Sequence, residues 1–341
     1  MNIREAMARY LPLIEEALQA ALQTSHKTLA AHHGMMHYHL GWVDQRFQSK
    51  PAGGGKRLRP LLCLLACEAA GGDVQVALPA AAAIEILHNF SLVHDDIEDD
   101  SPTRRGRPAV WALWGVPQAI NVGDALFALA HRTLGQLSEQ DVPADRVLGA
   151  TRAFHDTCVA LTEGQYLDMS FEARLDVTVD EYMEMIRGKT AALMGLSTQL
   201  GALLAGAPAG RIGHFHRFGR MLGIAFQIED DILGIWGDEA LTGKSAASDI
   251  LERKKTLPVV YALQSAVGER LRAIYQKREL TPEDTPSVLV LLEEVHARGY
   301  AKRLAEEALH QALEALAATG LGEAALAPLG ELAALLQGRR R

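Results

Sequence analysis

The stretch LPAAAAIEILHNFSLVHDDIEDD, residues 78–100, decides the fold. Leu78 to Ile84, then Ile86, Leu87, Phe90, Leu92 and Val93, make it apolar almost all round, and Asp95, Asp96, Glu98, Asp99 and Asp100 close it. A helix that is apolar on every side belongs in the middle of a bundle. Aspartates placed directly after such a run are costly unless something compensates them. A second stretch has the same plan, with Met221-Leu222-Gly223-Ile224-Ala225-Phe226 leading into Gln227-Ile228-Glu229-Asp230-Asp231. Two buried helices that each end in acids are expected to face one another across a central cavity, their polar ends at its mouth and their apolar stems as its walls.

Outside these stretches nearly every segment keeps the 3.6-residue period, and no convincing period-2 alternation appears. The spacing predicts helices over about 3–23, 28–47, 58–70, 76–99, 117–138, 144–172, 179–187, 190–205 and 211–236, with shorter ones from 257 to the end. Breaks fall at Pro51-Ala52-Gly53-Gly54-Gly55, Gly71-Gly72-Asp73, Ser101-Pro102, Gly206-Ala207-Pro208 and Gly237-Asp238. No low-complexity linker divides the chain. The expectation is an all-α fold, one domain over 1–341, built as a bundle of about ten or more helices around a cavity, with a motif-bearing core over about 30–300.

Composition agrees. Of 341 residues 48% are hydrophobic and only 6% aromatic, which points to helices built from Ala and Leu. A net charge of −8 without a long basic block argues against nucleic acid as a partner. Cys63, Cys67 and Cys158 are odd in number and lie in apolar helical contexts, so reduced thiols in a cytoplasmic protein are expected rather than a disulfide framework. The opening residues carry no apolar signal region, and no uncharged run of about 20 apolar residues suggests a membrane span.

The acids carry chemistry. On a helix Asp95 and Asp99 project to one side, where bare carboxylates repel. A hard cation resolves this, and Mg²⁺ takes one or two carboxylates plus substrate phosphate oxygens. Asp230 supplies an opposing ligand, with Asp231 beside it. A solvated acidic helix end is the alternative, and the flanking apolar runs argue against it. Cations accompany both clusters: Gly55-Lys56-Arg57-Leu58-Arg59-Pro60 after a glycine run, Arg104-Arg105-Gly106, Lys189-Thr190 after Gly188, Lys244, and Lys254-Lys255-Thr256. Any one of them alone reads as a solvated surface charge. Together they suit a diphosphate.

On these residues the chain resembles the trans-isoprenyl (polyprenyl) diphosphate synthases over roughly residues 30 to 300. The matching stretches are Gly-Gly-Lys-Arg-Leu-Arg-Pro (54–60), Leu-Val-His-Asp-Asp-Ile-Glu-Asp (92–99), Arg-Arg-Gly-Arg-Pro-Ala (104–109) and Gly-Gln-Tyr-Leu-Asp (164–168). Gly-Lys-Thr (188–190), Phe-Gln-Ile-Glu-Asp-Asp (226–231), Gly-Lys (243–244) and Lys-Lys-Thr-Leu-Pro (254–258) follow in the family's order.

The resemblance implies a prenyltransferase that joins isopentenyl diphosphate to dimethylallyl, geranyl or farnesyl diphosphate. Asp95 and Asp99 would bind two Mg²⁺ and Asp230 a third, with Asp96 and Asp231 assisting. Arg104, Lys189, Lys244 and Lys254 would hold the allylic diphosphate. Lys56, Arg59, His88 and Arg105 would hold that of isopentenyl diphosphate. Thr190 and Gln227 would stabilise positive charge through their oxygens, with Gln165 and Asp168 as supports. Ionisation leaves a carbocation that the second substrate attacks, and the released diphosphate can take the proton. Residues 234–255 are the candidate lid. A homodimer through the apolar helix Pro117 to Leu134 also follows from the resemblance.

One departure stands out. Where the second motif's Asp-Asp-x-x-Asp calls for a third aspartate, this chain has Gly234. Ile235-Trp236-Gly237-Asp238 resembles a bacterial branch that lacks that acid, so activity is expected with metal affinity in question. Asp238 reads as a surface residue. His32, His33, His37 and His39 invite a metal reading, but no carboxylate or thiol lies close in sequence, and packing is the expectation. His94 receives no role. Arg339-Arg340-Arg341 reads as a frayed tail.

Product length in such enzymes depends on bulk before the first aspartate motif. Phe90 stands five positions before Asp95 and Ser91 four, and the motif lacks a two-residue insertion. This resembles geranylgeranyl diphosphate synthases, with farnesyl diphosphate the next choice. A class I terpene cyclase would leave Lys56, Arg59, His88 and Arg105 without purpose and tends to use more aromatics. A non-catalytic partner subunit would be expected to lose aspartates from the first motif, which is intact. A purely structural helical protein would not need cations matched to both acid clusters.

Overall fold

The computed structural model describes residues 1–50, 55–237 and 247–337. Long helices dominate: α1 (Ile3–Ala21), α2 (Ala30–Leu40), α3 (Leu58–Ala69), α4 (Val74–Glu98), α5 (Val110–Trp114), α6 (Val116–Gly135) and α7 (Ala144–Phe171). They continue as α8 (Val179–Ile186), α9 (Ala192–Leu204), α10 (Ala209–Trp236), α11 (Ser248–Leu251) and α12 (Leu257–Leu263). The last are α13 (Gly268–Tyr275), α14 (Thr285–Glu294), α15 (Ala297–Ala317) and α16 (Glu323–Gln337). Among the described residues the one sheet is a hairpin of β1 (Thr103–Arg104) and β2 (Arg107–Pro108). The all-α expectation holds.

Two compact units divide the chain. The first comprises Met1–His155, Leu196–His216 and Ala317–Leu332, and the second Asp156–Gly195, Arg217–Leu316 and Ala333–Arg341. Their boundaries fall within α7, α9, α10, α15 and α16 rather than in linkers. A sequence without linkers therefore gave no hint of the division, and one domain was the reading it supported.

In the first unit α4 is the core element, packed against α1, α3 and α6. Asp73 caps it, its side chain accepting from Gln75 N at 2.9 Å. Ala80 to Leu87, Asn89 and Val93 are buried. By length and composition α4 is able to cross a membrane, and it is the one described helix that is. Here two-thirds of its most apolar 18-residue stretch is buried inside the protein, and Glu85, the one acid before its C-terminal cluster, is paired, as a core helix requires. In the second unit Ile235, Ile250, Val259, Leu263, Leu271, Tyr275, Val288 and Leu292 form one cluster that ties α10 to α11–α14.

The helix predicted over 28–47 stops at Leu40, because Gly41 takes a left-handed C-cap (φ 87°) whose N–H returns to the carbonyls of His37 and Tyr38. The helix predicted from 190 is preceded by a π-helical turn, Arg187–Ala191, continuous with α8. The other predicted helices lie within a few residues of their expected ends.

Candidate active site: two carboxylate sets and their cations

The first set lies at the C-terminal end of α4. Asp99 N donates to Asp95 O at 2.9 Å, so the two carboxylates sit one turn apart, as their spacing predicts. Asp95 is partly exposed, whereas Asp96 is buried. The chain then turns back through the hairpin, and Arg104 returns to the acids. Its Nε donates to Asp96 Oδ1 at 2.8 Å and its Nη2 to Asp95 Oδ2 at 3.2 Å. Arg105 (φ 53°) and Gly106 (φ 70°) make the turn. Two central residues at positive φ match the twist of tight hairpins, and for arginine that conformation costs about 1–2 kcal/mol. The strained residue is one of the expected diphosphate ligands.

Behind the acids lies the loop that opens α3. Arg57 is left-handed (φ 46°) and buried, and its guanidinium donates to Glu15 Oε1 at 2.6 Å and Glu85 Oε1 at 2.9 Å. Glu15 also accepts from Trp42 Nε1 at 2.9 Å. These contacts fix the loop between Lys56, which is exposed, and Arg59, whose Nη1 lies 3.1 Å from His88 Nε2. Burial, then Arg59, Arg105 and Arg104, hold the His88 imidazole well below its ordinary range, so it is neutral and accepts from Arg59. The Arg105 guanidinium lies against Gly55. Its pKa is depressed by burial and by Arg57 and Arg104, while Glu85 opposes the shift.

The second set belongs to the second unit. Asp230, on α10, is exposed, and Asp231 is buried. Asp231 Oδ2 accepts from Tyr182 Oη at 2.6 Å and from Leu257 N at 2.8 Å, and its Oδ1 accepts from Gln227 Nε2 at 3.0 Å. Gln227 Oε1 in turn accepts from Thr190 Oγ1 at 2.7 Å. Thr190 and Gln227, both expected at the reacting carbons, are thus joined and oriented by one hydrogen-bond chain ending on Asp231. Burial pushes the Asp231 carboxyl up to about 7, with the charge of Asp249 adding, against the hydrogen bonds that favour its ionised form.

Lys189 and Thr190 lie on the π-helical turn, and Lys189 Nζ is paired with Asp168 on α7. The two elements meet at glycines. A Cβ on Gly188 would stand 2.5 Å from Ala160 O, and one on Gly164 would overlap Lys189 N. Lys254 is exposed and pairs with Glu252 at 3.0 Å. Lys255 is buried, donating to Glu172 O at 3.0 Å and Arg253 O at 3.1 Å, and burial lowers it to about 8, which marks a structural lysine. Lys244, Asp238 and much of the candidate lid lie outside the described residues, as does Arg339-Arg340-Arg341.

Among the described residues no group of three or more His, Cys, Asp or Glu side chains forms a ready-made metal cage. The donors are hard carboxylate oxygens, and Asp96 keeps a buried Oδ2 with no hydrogen-bond partner. Such a set fits Mg²⁺ taken up together with substrate phosphate rather than alone. The histidines of α2 pack as expected, with His33 Nδ1 and His37 Nε2 at 2.8 and 3.2 Å from Leu22 O. His39 is buried near Arg105, Arg104 and Arg57, and burial with those charges depresses it strongly. Phe90 is half-buried, its ring 5.0 Å from Phe127 on α6 and 4.9 Å from His94, and Ser91 Oγ donates to His88 O at 2.8 Å. A cavity of about 380 Å³ beside the hairpin is lined by Tyr38, Asp44, Arg46, Lys50 and Arg107, and by none of the expected site residues.

Sequence reading missed Arg57 with its two glutamates, Tyr182, and the hairpin that aims the two arginines. Glu85 carried a signal, as a lone acid inside an apolar helix demands a partner. Tyr182 carried none, being one apolar position among others on α8.

Comparison with known proteins now bears on this arrangement. A family model described as Polyprenyl synthetase matches residues 41–292. The chain is 42% identical over 302 residues to a geranylgeranyl diphosphate synthase of Mycobacterium tuberculosis, covering 88% of this chain and 84% of that protein. It is 41% identical over 302 residues to a (2E,6E)-farnesyl diphosphate synthase of Mycobacterium bovis, covering 87% and 83%. Its fold matches the crystal structure of a polyprenyl synthetase from Streptomyces coelicolor A3(2) with a TM-score of 0.90 at 36% identity, over 98% of this chain and 99% of that one.

Proposed function

The chain belongs to the polyprenyl synthetase family, and from that premise we propose that it extends allylic diphosphates with isopentenyl diphosphate to geranylgeranyl diphosphate. It is a prenyltransferase of the trans-isoprenyl diphosphate synthase kind, with the isoprenoid-synthase fold, in a family that uses Mg²⁺. The relatives bear both geranylgeranyl and farnesyl names, so the twenty-carbon product rests on Phe90 and Ser91.

The gathering of cations behind Asp95 and Asp96 supports this reading most. Arg104 lies on the acids, while Arg59, Arg105 and neutral His88 are gathered within reach of the same end of α4. Burial and the charges of Arg57 and Arg104 depress Arg105, and such a cation favours an incoming anion. One diphosphate beside Asp95, as in a terpene cyclase, would not need them. In our reading Lys56, Arg59, His88 and Arg105 hold isopentenyl diphosphate, and Arg104, Lys189, Lys244 and Lys254 hold the allylic diphosphate.

Asp95, Asp99 and Asp230 would hold metal, with Asp96 and Asp231 acting through neighbouring contacts. Three Mg²⁺, when bound with substrate, would neutralise the leaving diphosphate and so favour cleavage of the allylic C–O bond. Thr190 and Gln227, their dipoles fixed by Asp231, would stabilise the carbocation while the double bond of isopentenyl diphosphate attacks. The released diphosphate would accept the proton, so no side-chain base is required. Asp168 steadies Lys189, with Gln165 on the same helix. Three buried free thiols support a reducing, cytoplasmic setting. A homodimer would use α6, where Val116 and Ile120 are exposed.

Incubation with isopentenyl diphosphate and dimethylallyl, geranyl or farnesyl diphosphate, with Mg²⁺, tests the proposal by product size. Twenty-carbon chains are expected. Diphosphate release without isopentenyl diphosphate would favour a cyclase, and no turnover by the isolated chain would favour a partner subunit.

A further inference from the structure

We infer that Tyr38 and Arg107 are positioning residues that clamp the hairpin and so aim Arg105. The inference rests on the reading of Arg105 as a ligand of isopentenyl diphosphate and specifies what holds it in place.

Arg104 and Arg105 leave the same hairpin but are secured differently. Arg104 has anchors of its own, its guanidinium donating to Asp96 at 2.8 Å and to Asp95 at 3.2 Å. Arg105 is exposed and makes neither a hydrogen bond nor an ion pair among the described residues. Its place is therefore set by the backbone, at a turn where a φ of 53° is unfavourable for a residue with a Cβ. Such a conformation persists only where surrounding contacts over-determine it. The strands supply little, since β1 and β2 pair only Thr103 with Pro108 and Arg104 with Arg107. Nor is the hairpin packed on every side, because Gly106, Arg107 and Pro108 line the cavity of about 380 Å³.

The remaining hold comes from α2. The Arg107 guanidinium lies 3.9 Å over the Tyr38 ring, and its Nη2 donates to Val43 O at 2.9 Å. Tyr38 Oη donates to Pro108 O at 2.9 Å. Both residues of β2 are thus fastened to one side chain. A planar guanidinium stacks on a ring and donates from its edge at once, which an ammonium does not match. The clamp has a firm base. Tyr38 is 5% exposed and meets Trp114 edge to face at 5.0 Å, and the segment of Val43 is closed by Lys50 N donating to Trp42 O at 2.9 Å. Loosening Arg107 would shift the turn that carries Arg105, while Asp95 and Asp96 keep their hold on Arg104.

Steady-state kinetics, with isopentenyl and geranyl diphosphate varied in turn, test the clamp. Arg107→Ala is expected to raise KM for isopentenyl diphosphate by roughly tenfold to 10²-fold, the scale of loss when a positioned group is displaced. KM for geranyl diphosphate should stay unchanged. Arg105→Ala is expected to do the same, and the double variant to lose little more than either alone, because the two act as a unit. Tyr38→Phe keeps the ring beneath Arg107 and removes only the bond to Pro108, and Arg107→Lys keeps the charge. Both should fall between wild type and Arg107→Ala. Each variant is also melted, so that a folding defect registers separately. The inference is overturned, while Arg105→Ala still raises KM for isopentenyl diphosphate, by any of three results: a wild-type value in Arg107→Ala or in both conservative variants, an equal rise for both substrates, or losses that multiply in the double variant. If Arg105→Ala keeps the wild-type value, the reading of Arg105 fails and this inference with it.

Discussion

Glu85 is the only acid in α4 before its C-terminal cluster, and its burial decides much of the first unit. Its partner Arg57 has a side chain 2% exposed, and that of Glu85 is 4% exposed. Removing one member of a buried pair leaves the other charge uncompensated, at a cost of about 3–5 kcal/mol. Arg57→Met is therefore expected to lower the unfolding free energy measured in urea by that amount, and an unchanged value would show the pair to be dispensable. Asp231 carries a second consequence. Burial raises its carboxyl from 3.8 in the unfolded chain to about 7 in the folded one. The folded state holds the proton more tightly, so the contribution is fully present below about 4 and is lost as pH rises through about 7. Between pH 5 and 8 the melting temperature of the metal-free protein should fall more steeply than that of Asp231→Asn, and equal slopes would refute the shift. Phe90→Ala should lengthen the product, and unchanged chain length would remove Phe90 as the limit.

Elements position these residues with differing visibility in the sequence. Helical periodicity and the glycine and proline breaks announced the long helices, because burial of one face repeats along many turns. The acids stood out because they end apolar runs. The hairpin that turns Arg104 back onto Asp95 did not stand out, because two-residue strands carry no alternation to read. The π-helical turn carrying Lys189 and Thr190 was also invisible, since it arises from close contact with α7 at Gly164 and Gly188. Gly164→Ala is a direct probe of that contact. Its methyl would overlap Lys189 N, so the turn must shift or α7 must yield. Overpacking of this kind costs about 1–3 kcal/mol, and small displacement of positioned groups can lower turnover on the order of tenfold to 10²-fold. Far-UV circular dichroism should remain unchanged while kcat falls. Full activity would mean that the placement of Lys189 and Thr190 tolerates movement.

At the scale of the molecule, the sequence made the family and both acid sets legible, since the motifs are local. It could not show the division into two units, whose boundaries run through helices, or that an acid distant in sequence sits against Gly234. Asp95 belongs to one unit and Asp230 to the other. Our central claim is that both serve the same Mg²⁺-dependent cleavage of an allylic diphosphate. Groups that act as a unit in one step give non-additive losses. The decisive measurement is the rate of diphosphate release from geranyl diphosphate with isopentenyl diphosphate and Mg²⁺, compared for Asp95→Asn, Asp230→Asn and the double variant. We predict a loss on the order of 10²–10³-fold in each single variant and little more in the double. Wild-type release in either single variant, or losses that multiply in the double, would contradict the claim.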